Sequence, residues 1–170
     1  VVAALSGARL LVPLLAEAGE VGVTPEGRVV DKTQELSLVT VASPSGRAAI
    51  PAFTSVDAMR AWNAQARPVP VEAERVALAA GAEGGAVILD PTTPTEFGLQ
   101  RGALAAVATA QPWTPPWVDE SVLAAFGSCL AEPEVVAADV LPGDPEARLT
   151  GPEVLVRLAL RPGLDRAGLD

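Results

Sequence analysis

Carboxylates and arginines are the only ionisable groups this chain has in quantity. It holds no histidine, one cysteine (Cys129) and one lysine (Lys32), against 21 acidic residues and a formal net charge of −9. Without histidine there is no Ser–His or Cys–His nucleophile pair, no imidazole base and no imidazole metal ligand. A single thiol cannot build a zinc or iron–sulfur site within one chain. No glycine-rich loop ends in Lys-Ser/Thr, and no G-x-G-x-x-G follows a strand, so both common phosphate cradles are missing. Gly81-Ala82-Glu83-Gly84-Gly85 comes nearest, but it follows a helical segment and reads as a helix stop. The sequence therefore points to no catalytic residue, no metal and no cofactor.

The residues left over each carry a structural reading beside a functional one. Cys129 could be a redox thiol. It falls in an Ala-rich helical segment near Leu123 and Phe126, and reads more simply as a small buried hydrophobe. Lys32 sits in a charged loop, whereas an activated lysine needs a desolvated pocket. Asp139, Asp144 and Glu146 crowd one turn, but their spacing matches no calcium loop, and solvated turn acids are the simpler reading. Asp90-Pro91 ends an apolar run, which suits a turn start or a strand-end site. Arg47, Arg9, Arg67 and Arg101 lie at predicted element ends, where a guanidinium can hold a carboxylate with two parallel hydrogen bonds. The alternative for each is a solvated surface charge. Arg47 is preferred, because it opens the strand that leads into Pro51-Ala52-Phe53-Thr54-Ser55. Trp113 and Trp117 flank Pro115-Pro116, and form either a partner-contacting surface or a cover for the core edge.

These side chains must be positioned by about one domain, or two small ones, in 170 residues. Apolar residues make up 49%, mostly Ala, Val and Leu, and only six residues are aromatic, so the core is built from many small contacts. The negative balance repels phosphate backbones and anionic bilayers, and suits a basic protein partner. Neither nucleic acid nor membrane is expected, and oligomeric state cannot be read. No apolar run reaches the roughly 18 residues of a membrane span. A lone cysteine excludes an intrachain disulfide and fits a reducing cytoplasm. A chain beginning at Val1 reads as a trimmed part of a longer protein.

The elements follow from local pattern. Ala8–Ala16 reads as a strand with Pro13 at an edge or bulge, and residues 17–33 as a flexible loop. Leu36–Ala42 and Arg47–Phe53 form a hairpin around Ser43-Pro44-Ser45-Gly46. Thr54 caps a helix carrying Met59 and Trp62, with Asp57 reaching back. Arg67–Val71 is extended by its prolines, and Glu72–Ala80 is a helix stopped by Gly81. Ala86–Asp90 is a central strand buried on both faces. A short strand at Phe97–Gln100 and a helix at Arg101–Ala110 lead to a Trp/Pro linker at 112–118. Beyond it come a helix over Asp119–Ala131, strands at Val135–Leu141 and Val154–Leu160, and a helix from Gly163. The fold class is α+β: a mixed sheet with covering helices over 1–111, then a smaller, truncated α+β unit over 119–170.

Several of these segments, in this order and spacing, resemble the SseB family. They are Arg9-Leu10-Leu11-Val12-Pro13; Ile50-Pro51-Ala52-Phe53-Thr54-Ser55 leading into a helix with Ala58 and Trp62; Arg67-Pro68-Val69-Pro70-Val71; and Val87-Ile88-Leu89-Asp90-Pro91. Val140-Leu141-Pro142-Gly143-Asp144 and the Gly151–Leu160 strand resemble that family's second domain, which the resemblance implies continues past Asp170. The composition, rich in Ala, Arg, Gly and Pro with a single Lys, suggests a GC-rich bacterial genome, and the resemblance, which covers nearly the whole chain, suggests an actinobacterial type. The family name reflects a serine-sensitivity phenotype and supplies no catalytic residue. The expected function is a cytoplasmic, non-catalytic binding or regulatory module with a protein partner. The alternatives are a subunit of a larger complex, or an enzyme that uses carboxylates and arginines on an amino-acid-like substrate.

Overall fold

A computed structural model describes residues 1–15, 39–83 and 85–163. Lys32, the loop expected at 17–33, the first residues of the 36–42 strand and the helix expected beyond 163 lie outside them.

The chain is α+β. It opens with a single helical turn, α1 (Val2–Leu5), and strand β1 (Arg9–Leu14). β1 pairs antiparallel with β4 (Arg67–Glu72), from Arg9↔Glu72 to Leu14↔Arg67. The ladder contains Pro13, Pro68 and Pro70, none of which has an N–H, so each must stand where no donor is required. Leu11 exchanges both backbone bonds with Phe53 on its other side, at 2.9 and 2.8 Å. Residues 9, 11 and 13 therefore turn their backbone groups away from β4. Leu11↔Pro70 and Pro13↔Pro68 are non-hydrogen-bonded pairs, and the prolines remove no bond from the ladder. The extended path expected of 67–71 is thus a paired strand.

A second sheet has the order β2-β3-β5-β6 and is mixed. β2 (Val41–Ala42) and β3 (Ala48–Ala52) form the expected hairpin. β3 runs parallel to β5 (Ala86–Leu89), and β5 antiparallel to β6 (Phe97–Leu99). The crossover from β3 to β5 passes through α2 (Val56–Trp62), β4 and α3 (Ala73–Ala82). β5 is buried at all four positions, as expected of a central strand. Val87 and Leu89 face the main core with Ile50, Val76, Leu99 and Leu104. α4 (Arg101–Ala108) packs beside α3 on that side. Ala86 and Ile88 face the opposite side, with Ala49.

Two local expectations are corrected. Ser55, not Thr54, caps α2, accepting from Ala58 N–H at 3.1 Å. Thr54 has a better acceptor in Asp90, described below. Gly81 lies inside α3, which runs on to Ala82.

The remaining elements are α5 (Glu120–Gly127), a 3-10 turn (Ser128–Ala131), and the antiparallel hairpin β7 (Val135–Pro142) and β8 (Val154–Leu160). The helix expected over 119–131 tightens into that 3-10 turn, where Cys129 is half-buried rather than enclosed. No residue of α5, β7 or β8 is fully buried. The buried anchor of this half is Leu149, in the turn between β7 and β8. It is fully enclosed against Ala49, Ala86 and Ile88, and so covers the second face of the sheet.

Candidate functional site

The turn that carries Leu149 is built around Asp144. Its Oδ2 accepts from Leu149 N–H at 2.7 Å; its Oδ1 accepts from the Thr150 hydroxyl at 2.8 Å and from Arg148 N–H at 3.3 Å. The Gln100 amide adds a donor at 3.4 Å. Asp144 is 8% exposed. The expected solvated turn acid is a buried anchor instead, because these donors replace water. Glu146 is exposed as expected, and Asp139 pairs with Arg157 at the surface at 2.8 Å.

The turn holds Ala147 and Leu149 in left-handed backbone, at φ 50° and 57°. That conformation costs a non-glycine residue roughly 1–2 kcal/mol, so the surroundings must enforce it. They do so through backbone bonds to the first half. Gly98 N–H donates to Ala147 O at 2.6 Å, and Ser45 N–H donates to Leu149 O at 3.1 Å. Only glycine fits at 98, since a Cβ there would lie 2.5 Å from Leu149 Cγ.

Beside this junction lies a cleft of about 40 Å³, whose lining includes Phe97, Gln100, Trp113, Trp117, Asp144 and Glu153. Trp113 packs against the main core while remaining half-buried, so it folds back on the core edge. Trp117 meets it edge to face, with ring centroids 6.4 Å apart, the arrangement that ring quadrupoles favour. Pro115 and Pro116 fix the path between them. From the opposite side, Glu153 reaches the first turn of α4. Its Oε2 accepts from Gly102 N–H at 3.2 Å, a carboxyl placed at the positive end of the helix. Gly102 makes room for it, because a Cβ there would lie 2.8 Å from Oε1. That Oε1 is buried and has no hydrogen-bond partner among the described residues.

The cleft lining is therefore part acidic and part aromatic. Asp144 and Glu153 bring two formal negative charges. Among the described residues the ion pairs are Arg148–Glu96 and Arg157–Asp139, and neither cleft acid belongs to one.

The four candidate arginines are not gathered together. Arg47 donates to Gln100 Oε1 at 2.8 Å and to Gly151 O at 3.4 Å, which ties it to the edge of the cleft. Arg9 donates to Pro70 O at 3.4 Å, and Arg67 stands at the other end of the β1–β4 ladder. Arg101 is exposed at the start of α4. Both oxygens of Asp90 are occupied in holding Thr54, accepting from its N–H at 2.8 Å and its hydroxyl at 2.6 Å. Among the described residues no group of three or more His, Cys, Asp or Glu is placed to hold a metal ion. Sequence reasoning missed Gln100, Glu153 and the burial of Asp144. The one available signal was Leu149, a lone large apolar residue inside a polar turn.

No helix among the described residues is long and apolar enough to cross a membrane. No curated protein and no solved structure matches the chain. The family model for the SseB protein N-terminal domain matches residues 1–106. That span holds β1, the Pro51–Ser55 element, the β4 prolines and the β5–Asp90 strand end, all of which the structure ties into one core. The chain belongs to the SseB family.

Proposed function

We propose that this SseB-family chain is a cytoplasmic, non-catalytic binding or regulatory module, of actinobacterial type, whose ligand seats in the Trp113–Trp117 cleft. The observation that carries this reading is the half-buried indole pair, which lines a cleft together with Phe97, Gln100 and Glu153. Apolar walls with a few converging polar groups are the usual make-up of a ligand site. The non-catalytic part is supported by the state of the best-buried acids. Asp90 and Asp144 use their oxygens on the chain's own donors, which leaves them little capacity for proton transfer. Arg47 serves the site by fixing Gln100 at its edge. A basic protein partner complements the net charge of −9.

Calorimetry against serine and related amino acids, with wild type and Trp117→Ala, tests the reading. Saturable heat that disappears in the variant supports it. Conversion of the ligand, detected by mass spectrometry after the titration, overturns the non-catalytic part. No heat at millimolar ligand leaves the protein partner as the occupant.

One observation favours the alternative of a subunit in a larger complex. Val136, Leu130, Leu155 and Leu158 are 61, 51, 50 and 45% exposed, all on the α5–β8 half. Native mass spectrometry at micromolar chain checks this: assembly supports it, and a monomer at every concentration removes it.

A further inference from the structure

We infer that β8 pairs edge to edge with β8 of a second copy of this chain, which joins the two β7–β8 hairpins into one four-stranded antiparallel sheet. This is independent of the Trp113–Trp117 cleft and rests on the reading of the chain as a subunit of a larger assembly. Among the described residues the β7–β8 sheet has two strands, and α5 and the 3-10 turn pack against β7, which leaves the outer edge of β8 open. The backbone bonds fix which residues face that edge. Gly143 N–H donates to Glu153 O at 3.3 Å, and Arg161 N–H donates to Glu134 O at 2.9 Å. Bonded positions alternate along an antiparallel ladder, so the odd-numbered residues from Glu153 to Arg161 bond to β7. Val154, Val156, Leu158 and Leu160 therefore turn their N–H and C=O groups outward. Natural sheets guard such edges with proline, lysine or a bulge. The outward positions of β4 carry Pro68 and Pro70. β8 has neither proline nor lysine, its one charge is Arg157, and the irregularity of the ladder lies in β7.

The edge is also self-complementary. Antiparallel pairing centred on Arg157 sets Val156 opposite Leu158 of the second copy, and Val154 opposite Leu160 of the second copy, apolar pairs of the kind that stabilise sheets. All four outward residues of each chain then bond one another, about eight bonds at two per pair. Leu158 and Leu160, 45 and 41% exposed in the single chain, are covered by the pairing. Pro152 and Pro162 bracket the strand at outward positions and have no N–H, so moving the centre to a neighbouring residue sets one of them opposite an outward residue. Two Arg157 side chains facing each other would repel. Each, however, is held by its own Asp139 at 2.8 and 3.1 Å, so the row across the seam runs Asp–Arg–Arg–Asp with no net charge.

Sedimentation of the whole chain at rising micromolar concentrations, with amide hydrogen exchange at the same concentrations, tests the pairing. The expected result is a reversible dimer in which exchange at the Val156 and Leu158 amides slows as the dimer forms. The Leu155 and Arg157 amides, already bonded to β7, are protected at every concentration. Leu158→Pro removes an outward N–H and no bond to β7. It is expected to weaken the dimer at least about tenfold, because two-fold symmetry removes two bonds at once. Continued protection of Leu155 and Arg157 shows that its hairpin is intact. If that variant misfolds, Asp139→Ala serves: it leaves the two Arg157 charges facing each other uncompensated, and weakens the dimer about threefold or more. Weakening in either folded variant supports the pairing. Undiminished association in both overturns the β8 interface, as does assembly in which the Val156 and Leu158 amides exchange at one rate throughout; each leaves the assembly reading in place. Growth beyond two chains overturns the two-fold pairing, which closes on itself. A monomer at every concentration overturns this inference and the assembly reading together.

Discussion

Asp139 and Asp144 stand five residues apart in one stretch of sequence, yet they do different work. Asp139 meets Arg157 where both side chains are more than half exposed, a type of pair worth about 0–1 kcal/mol. Asp144 is buried and satisfies donors from Gln100, Arg148, Leu149 and Thr150. Asp144→Ala strands those donors and should lower the unfolding free energy by about 1–3 kcal/mol in urea titration, against under about 1 kcal/mol for Asp139→Ala. Equal losses would contradict the assignment. Gly98→Ala should cost about 1–3 kcal/mol by forcing Leu149 off its seat. None of this was legible locally. Turn composition marks a turn, but the surface on which that turn lands is set by residues some fifty positions earlier.

Among elements, legibility followed the range of the forces. β5 was readable because a continuous apolar run needs burial on both faces. α2 was readable from the helical spacing of Met59 and Trp62, and α3 from its early acids and its run of Ala and Leu. The capping residue of α2 was not, since Thr54 is drawn to Asp90, 36 residues away, which leaves Ser55 to cap. α5 offers a test. Asp119 caps it, and the Ser121 hydroxyl first, then the Val122 and Ser121 N–H groups, hold its carboxyl below the usual aspartate range. A lowered folded-state value means the cap is intact above the unfolded value, about pH 4, and is lost as pH falls through the folded one. The Ser121 and Val122 amide signals should therefore move together as pH falls below about 4, the unfolded value, and the step should vanish in Asp119→Ala. A flat profile in the wild type would show that the cap is not made.

At the scale of the molecule, the two halves share a core. Leu149 closes the second face of the sheet, and Gly98, Ser45 and Arg47 bond to the same turn. Leu149→Ala should cost about 2–5 kcal/mol and be felt by the sheet of the first half, with faster hydrogen exchange at Val87 and Ile88. Unchanged exchange there would show that the turn merely rests on the surface. The class of the fold was legible because hairpins and helices occur together without a regular strand–helix alternation, whereas this junction was hidden because it depends on a single apolar side chain.

The position of Leu149 along the chain also sets an order of events during synthesis. Every strand of the four-stranded sheet has been made once Leu99 is added, yet the residue that covers Ala49, Ala86 and Ile88 follows about fifty residues later. At roughly 5–20 residues per second, the growing chain waits some 3–10 s with that face bare. Once α4 has been added the nascent sheet has one covered side and one open side, and slower translation between α4 and Leu149 prolongs its exposure to whatever else binds apolar surface on the ribosome.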